Sequence, residues 1–215
     1  MRIKVCCIAS MEEARLAVGL AASAVGLVSA MPSGPGVIPE ALIAEIAATV
    51  PPGVSRFLLT CSPDPAEIAA QQRRTGTEVL QLCDRLEPED RRFLRRELPG
   101  VRLVQVIHVT GRESLEDARE AAETADALLL DSGRPDLPVK ELGGTGRVHD
   151  WTVSRRIVET ARVPVYLAGG LTPENAAEAV RAARPFGLDV CSGVRLNGSL
   201  DEKRLAAFIR AAKCA

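Results

Sequence analysis

Three kinds of residue in this sequence have chemistry to offer: a cysteine beside a lysine near the N-terminus, an aspartate closing a run of leucines, and glycine turns far along the chain. Lys4, Val5, Cys6 and Cys7 lie in a β-rich run, and alternation puts Lys4 and Cys6 on one face and Val5 and Cys7 on the other. Lysine is poorly suited to lie beneath apolar helices, so Lys4 and Cys6 are expected to face inward and Cys7 to lie under the helices as a small hydrophobe. An ammonium beside a thiol stabilises its thiolate, which makes Cys6 a candidate general base or nucleophile. Packed core cysteines are the structural alternative. Asp131 follows Leu128-Leu129-Leu130 directly and reads either as an acid at a strand end or as a cap on the next turn.

Residues 165–175, Val-Tyr-Leu-Ala-Gly-Gly-Leu-Thr-Pro-Glu-Asn, read as a strand, a bare turn at Gly169 and Gly170, and a helix with Thr172 as N-cap and Pro173 as its first residue. A turn without Cβ atoms lets backbone approach a ligand, and a helix N-terminus favours an anion, so phosphate is the expected guest. A tight turn with no guest is the plainer reading. Ser192-Gly193 repeats the signal, and Gly143-Gly144-Thr145-Gly146 offers more backbone N–H groups and a hydroxyl.

The elements that must position these residues alternate regularly. Strands are expected over residues 2–8, 24–28, 56–60, 78–82, 101–109, 127–130, 165–168 and 188–191. Helices are expected near residues 10–22, 40–48, 65–74, 88–97 and 114–124, then from about 151, 173 and 201. The loop after the sixth strand, reaching about His149, is the longest and richest in glycine, a pattern usually tied to function. Eight strand–helix units in 215 residues fit an α/β fold, a (β/α)₈ TIM barrel near its lower size limit, spanning 1–215 as a single domain. Function then sits in the loops after the strands. An open doubly wound sheet would carry a phosphate loop after its first strand, and no Gly-x-Gly-x-x-Gly occurs there. Within a barrel, Gly169, Gly170, Ser192 and Gly193 form one phosphate set after strands seven and eight.

Composition narrows the function classes. A hydrophobic share of 47% with 3% aromatics suits short parallel strands covered by Ala-rich helices. Lysine plus arginine (27) nearly balances aspartate plus glutamate (28), and no basic block is interleaved with aromatics, so no nucleic acid partner is expected. With no signal-like segment and no long apolar run, no membrane is expected either, and the reading is cytoplasmic. The six cysteines then read as thiols in a reducing compartment. Cys61, Cys83 and Cys191, with His108, lie near strand ends but lack the spacing of a short metal motif, so no metal is expected. His108 and Trp151 read as structural, and the outer helices suit a monomer or a homodimer.

Taken together, the motifs resemble the phosphoribosylanthranilate isomerase family along nearly the whole chain. Lys4-Val5-Cys6 is similar to that family's opening Lys-Ile-Cys, and Leu129-Leu130-Asp131-Ser132 to its acid-bearing strand. Gly143-Gly144-Thr145-Gly146 with His149-Asp150-Trp151 resembles its Gly-Gly-(Ser/Thr)-Gly and Phe-Asp-Trp. Residues 167–175 and 189–194 resemble its two phosphate-gripping strand ends. The resemblance implies a cytoplasmic isomerase of tryptophan biosynthesis that performs an Amadori rearrangement, converting a phosphoribosyl aminoaldose to the aminoketose with no cofactor. Carried over, Cys6 is the general base and Asp131 the general acid. Gly169, Gly170, Ser192 and Gly193 hold the phosphate, and Lys4, Gly144 and Arg195 complete the substrate contacts.

The sequence departs from the family pattern at four places. Met31-Pro32-Ser33 stands where the family carries Ser-x-Arg, whose arginine is placed for the anthranilate carboxylate. Cys83-Asp84 replaces His-Gly, Arg195 replaces a glutamate, and Cys7 replaces a glycine. Arg195 or Arg134 is the expected substitute for the missing arginine. The alternatives are a divergent paralogue that isomerises or binds a different sugar phosphate, and a non-catalytic sugar-phosphate binding module.

Overall fold

The computed structural model describes residues 1–144 and 146–215, so Thr145 and its hydroxyl lie outside the described residues. Eight parallel strands close into a barrel: β1 (Arg2–Val5), β2 (Ala24–Val28), β3 (Ser55–Thr60), β4 (Val79–Leu82), β5 (Arg102–His108), β6 (Ala127–Asp131), β7 (Val165–Leu167) and β8 (Gly187–Val190). Each is followed by a helix: α1 (Met11–Gly19), α2 (Glu40–Thr49), α3 (Pro65–Thr75), α4 (Pro88–Glu97), α5 (Ser114–Ala121), α6 (Trp151–Thr160), α7 (Ala176–Ala183) and α8 (Glu202–Lys213). A short hairpin, β9 (Arg195–Leu196) with β10 (Ser199–Leu200), separates β8 from α8. The expected (β/α)₈ barrel is therefore the observed fold. No helix among the described residues is long and apolar enough to cross a membrane.

The helix starts follow from local chemistry. Ser10 Oγ accepts from Glu13 N while Glu13 Oε2 accepts from Ala9 N, a reciprocal cap on α1. Asp64, Asp150 and Asp201 cap α3, α6 and α8 through Ala66 N, Thr152 N and Arg204 N. Helix α7 starts three residues later than its proline suggests. Asn175 Oδ1 accepts from Thr172 N and its Nδ2 donates to Gly170 O, so Thr172–Asn175 forms a separate braced turn after the glycines.

Alternation sorts the side chains into two layers. Ile3, Val5, Val25, Leu27, Leu58 and Leu80 pack outward against the helices, while Cys6, Ala24, Val28, Phe57, Leu59 and Val79 fill the interior. Lys4 lies inside, fully buried, with Nζ 2.9 Å from Asp189 Oδ1 and 5.2 Å from the centre of the Phe57 ring. Gly26 makes room for this arrangement. A Cβ there would lie 3.0 Å from both Lys4 Nζ and Cys6 Sγ.

One placement differs from the alternation argument. Cys7 belongs to the interior cluster and not to the layer under the helices. Strand β1 ends at Val5 and Cys7 adopts φ +61°, so the chain leaves the pleat before the alternation reaches Cys7. That left-handed backbone is one that glycine adopts freely and that costs a residue carrying a Cβ.

Candidate active site

The C-terminal ends of the strands meet in a narrow cavity of about 70 Å³. Cys6 lines it from the end of β1, Asp131 from β6, Gly169 and Gly170 from the turn after β7, and Ser192 from the loop after β8. Residues 142–144 and 146, from the long loop after β6, line it as well, and Gly144 packs its α-carbon side toward Pro35. Seven of the nine residues expected at the site thus converge here or directly adjoin it. A wider groove of about 830 Å³ lies outside the loops after β5 and β6. It contains neither Cys6 nor the glycine turns.

Asp131 has the environment of an acid that holds its proton. Burial pushes its carboxyl above the ordinary range and Asp189 adds to this, while the Ser132 N–H, His108 and Lys4 pull the other way. The Ser132 N–H donates to Oδ1 at 2.7 Å. Gly169 and Gly143 must be glycine to lie against this carboxyl. A Cβ on Gly143 would come within 2.8 Å of Oδ2, and one on Gly169 within 3.2 Å of Oδ1.

The glycine turns differ in what they do. Gly169 and Gly170 have φ of +82° and +61°, and both present backbone to the cavity. Gly193 does not line it. Its α-carbon faces the turn after β7, where a Cβ would fall 1.9 Å from Leu171 O, so its contribution is to let the two phosphate-type turns pack together. Because the clashing atom is backbone, Gly193→Ala is expected to cost ~1–3 kcal/mol, a fall in Tm of roughly 2–12 °C. Thermal unfolding of the variant checks this; an unchanged Tm would mean that the turns can separate freely.

Two expected substrate contacts are corrected by their surroundings. Lys4 has its ammonium beneath the cavity, held by Asp189 and Phe57, and does not line it. Burial works against that ammonium, but Asp189 and the neighbouring thiols outweigh it and hold Lys4 above its ordinary pKa. Burial acts on Asp189 in the opposite sense, toward the neutral acid; the 2.9 Å charged contact favours the ion pair. Arg195 turns away from the cavity altogether. Its guanidinium donates to both carboxylate oxygens of Glu13 at 2.8 and 3.0 Å, to Gly198 O at 2.9 Å, and to the carbonyls of Cys6 and Cys7. Occupied by five acceptors, it braces the β8 loop against β1 and α1. Arg134 pairs with Asp136 and lines the wider groove. No lysine or arginine among the described residues lines the narrow cavity.

Several cavity residues carry no signal in the local sequence. Asp189 and Gln81 line it, and Gln81 Oε1 is buried with no hydrogen-bond partner among the described residues. His149 stands behind Gly169, with Nε2 2.7 Å from Ser154 Oγ and Nδ1 without a hydrogen-bond partner among the described residues. Burial lowers its pKa to about 4, so it is a neutral imidazole near pH 7. Its only sequence signal is the tripeptide His149-Asp150-Trp151. No group of three His, Cys, Asp or Glu side chains among the described residues is spaced to hold a metal ion; Cys61, Cys83, Cys191 and His108 do not converge on one.

A sequence model of the family described as N-(5'phosphoribosyl)anthranilate (PRA) isomerase matches residues 3–211. N-(5'-phosphoribosyl)anthranilate isomerase 2 of Methanosarcina mazei is 37% identical over 215 residues, which cover 99% of this chain and 94% of the relative. The crystal structure of phosphoribosyl anthranilate isomerase from Thermotoga maritima superposes with a TM-score of 0.86 at 28% identity, covering all of both chains. A structure of the isomerase in complex with reduced 1-(o-carboxyphenylamino)-1-deoxyribulose 5-phosphate gives 0.83 at 26%, again over all of both chains.

Proposed function

This chain belongs to the N-(5'-phosphoribosyl)anthranilate isomerase family, and from that premise we propose that it catalyses the Amadori rearrangement of N-(5'-phosphoribosyl)anthranilate in tryptophan biosynthesis. The observation that carries the reading is the meeting of Cys6, Asp131, Gly169, Gly170 and Ser192, from four different strand ends, at one cavity.

In the proposed reaction the protonated Asp131 carboxyl gives its proton to the furanose ring oxygen. The C1′–O bond breaks and the nitrogen lone pair forms the C1′=N bond of a Schiff base. Cys6, as the general base, then removes the C2′ proton; the resulting enolamine tautomerises to the aminoketose, so no atom is gained or lost overall. The backbone around Gly169, Gly170 and Ser192 holds the phosphate, fixing the reacting carbon between acid and base. A cavity of about 70 Å³ is smaller than the ~300–1,000 Å³ of small-molecule sites. Steady-state turnover of N-(5'-phosphoribosyl)anthranilate by the purified chain is the direct test, and absence of turnover with phosphate still bound would reject the reading.

The absence of a lysine or arginine from the described cavity lining favours a second reading, in which the aglycone lacks a carboxylate. A charge-assisted contact to a carboxylate is worth about 1.5–3 kcal/mol, or roughly 10–100-fold. On this reading a phosphoribosylated aniline without the carboxylate is turned over within about tenfold of the anthranilate compound. A larger preference for anthranilate, measured as a ratio of kcat/KM values, would reject it.

A further inference from the structure

Cys7 and Cys191 place their sulfurs 2.8 Å apart at the seam where the first and last strands of the barrel meet. Strands β1 and β8 are parallel neighbours with Val5 opposite Val190, and Cys6 N–H donates to Val190 O at 2.8 Å just beyond that register. The two sulfurs are already in contact, so joining them needs only a small side-chain movement. The left-handed turn at Cys7 brings its side chain into the mouth instead of under the helices.

Both residues line the cavity, and Cys191 is only half-buried. The pair is also asymmetric. The Cys7 thiol and the Arg195 guanidinium favour the Cys191 thiolate against the cost of burial. The shared bond with Cys191 is the main reason that Cys7 keeps its proton. Of the other thiols, buried Cys6 also interacts with Cys7 from the preceding position, while Cys61 lies 3.4 Å from Ala30 O, Cys83 is buried, and Cys214 is exposed beside the C-terminus.

We propose that Cys7 and Cys191 are a thiol-modification site that forms a reversible disulfide with a small disulfide of the glutathione class as oxidant. The Cys191 thiolate attacks one sulfur of the oxidant, breaking its S–S bond and expelling one thiolate. Cys7 then gives up its proton and attacks the Cys191 sulfur of the mixed disulfide, expelling the second thiolate. Two protein thiols are oxidised and one external disulfide is reduced to two thiols. The bridge locks the backbone beside Cys6 on one strand and Ser192 on the other, so the oxidised form turns over more slowly. Only this effect on turnover rests on the proposed function; formation of the bridge does not.

The test is incubation of the full chain with oxidised glutathione, followed by thiol counting in denaturant, peptide mapping and turnover with and without dithiothreitol. The six thiols should fall by two, with a 7–191 crosslink, a loss of turnover of at least about tenfold, and recovery on reduction. Cys6 and Cys7 share a tryptic peptide, so the assignment is made in Cys6→Ala, which should also lose two thiols. Cys191→Ser should form no bridge; if that variant does not fold, the maps of the parent and of Cys6→Ala decide. Unchanged thiol counts, a stable glutathione adduct without a crosslink, a bridge that requires Cys6, or bridged protein with unaltered turnover would each overturn the proposal.

Discussion

Asp131→Asn is expected to lower kcat by about 10²–10⁴-fold, the usual contribution of a positioned general acid. Asparagine preserves the volume and can still accept from the Ser132 N–H, but it has no proton of suitable acidity for the ring oxygen. The proposed reaction needs the protonated carboxyl, and burial raises the pKa of Asp131. The limb of the kcat profile set by this residue therefore falls as pH rises through that raised value. In Asp131→Asn the limb should disappear. Cys6→Ala is expected to lose activity on the same scale, and the double variant should be much less impaired than the product of the two losses, because each group serves a step that depends on the other. Turnover of Asp131→Asn within tenfold of the parent would reject the acid assignment.

The second large effect is on stability. Lys4→Met removes the ammonium and leaves Asp189 buried without its partner, which is expected to cost ~3–5 kcal/mol, or roughly 6–20 °C in Tm. Adding Asp189→Asn should recover much of that loss, since the cost lies chiefly in the stranded charge. The sign of the pH dependence follows from Lys4. Its pKa is raised in the folded chain, so its contribution is fully present below the unfolded lysine value of about 10.4 and is lost only as pH climbs toward the folded value. The stability gap between parent and variant should thus widen as pH rises through the raised value of the stranded Asp189 carboxyl and narrow only in strong alkali, where Lys4 loses its proton. Chemical denaturation at several pH values measures it. An unchanged stability in Lys4→Met would mean that water reaches Asp189 and replaces the pair.

The fold was legible because its signals are local. Ser10, Asp64 with Pro65, and Asp201 announce helix starts within three or four residues, and alternating apolar runs mark the strands. The inward placement of Lys4 and Cys6 followed from the same period of two. That argument failed one residue later, at Cys7, because alternation holds only while the chain stays in the sheet and Cys7 has already turned left-handed. Arg195 failed for a different reason. An arginine near a site looks available until its partner is known, and Glu13 lies 182 positions away in the chain. Asp189, Gln81 and His149 were missed likewise, since nothing within a few residues of each shows which strand end it will face. The glycine pairs were readable as turns, yet only the fold separates Gly169 and Gly170, which face the cavity, from Gly193, which packs the two turns together.

The seam between β1 and β8 bears on how the chain is made. Lys4 and its partner Asp189 are separated by 185 positions, and Glu13 lies 182 positions from Arg195 and 187 from the Leu200 N–H. Until the eighth strand joins, the seven preceding strands hold Lys4 without Asp189, its ion-pair partner, and leave two open edges. Chain termination before residue 189 would therefore leave a species prone to aggregation, with helices formed and the barrel unsealed. Closure of the ring and pairing of Lys4 with Asp189 are one event, completed by the eighth strand.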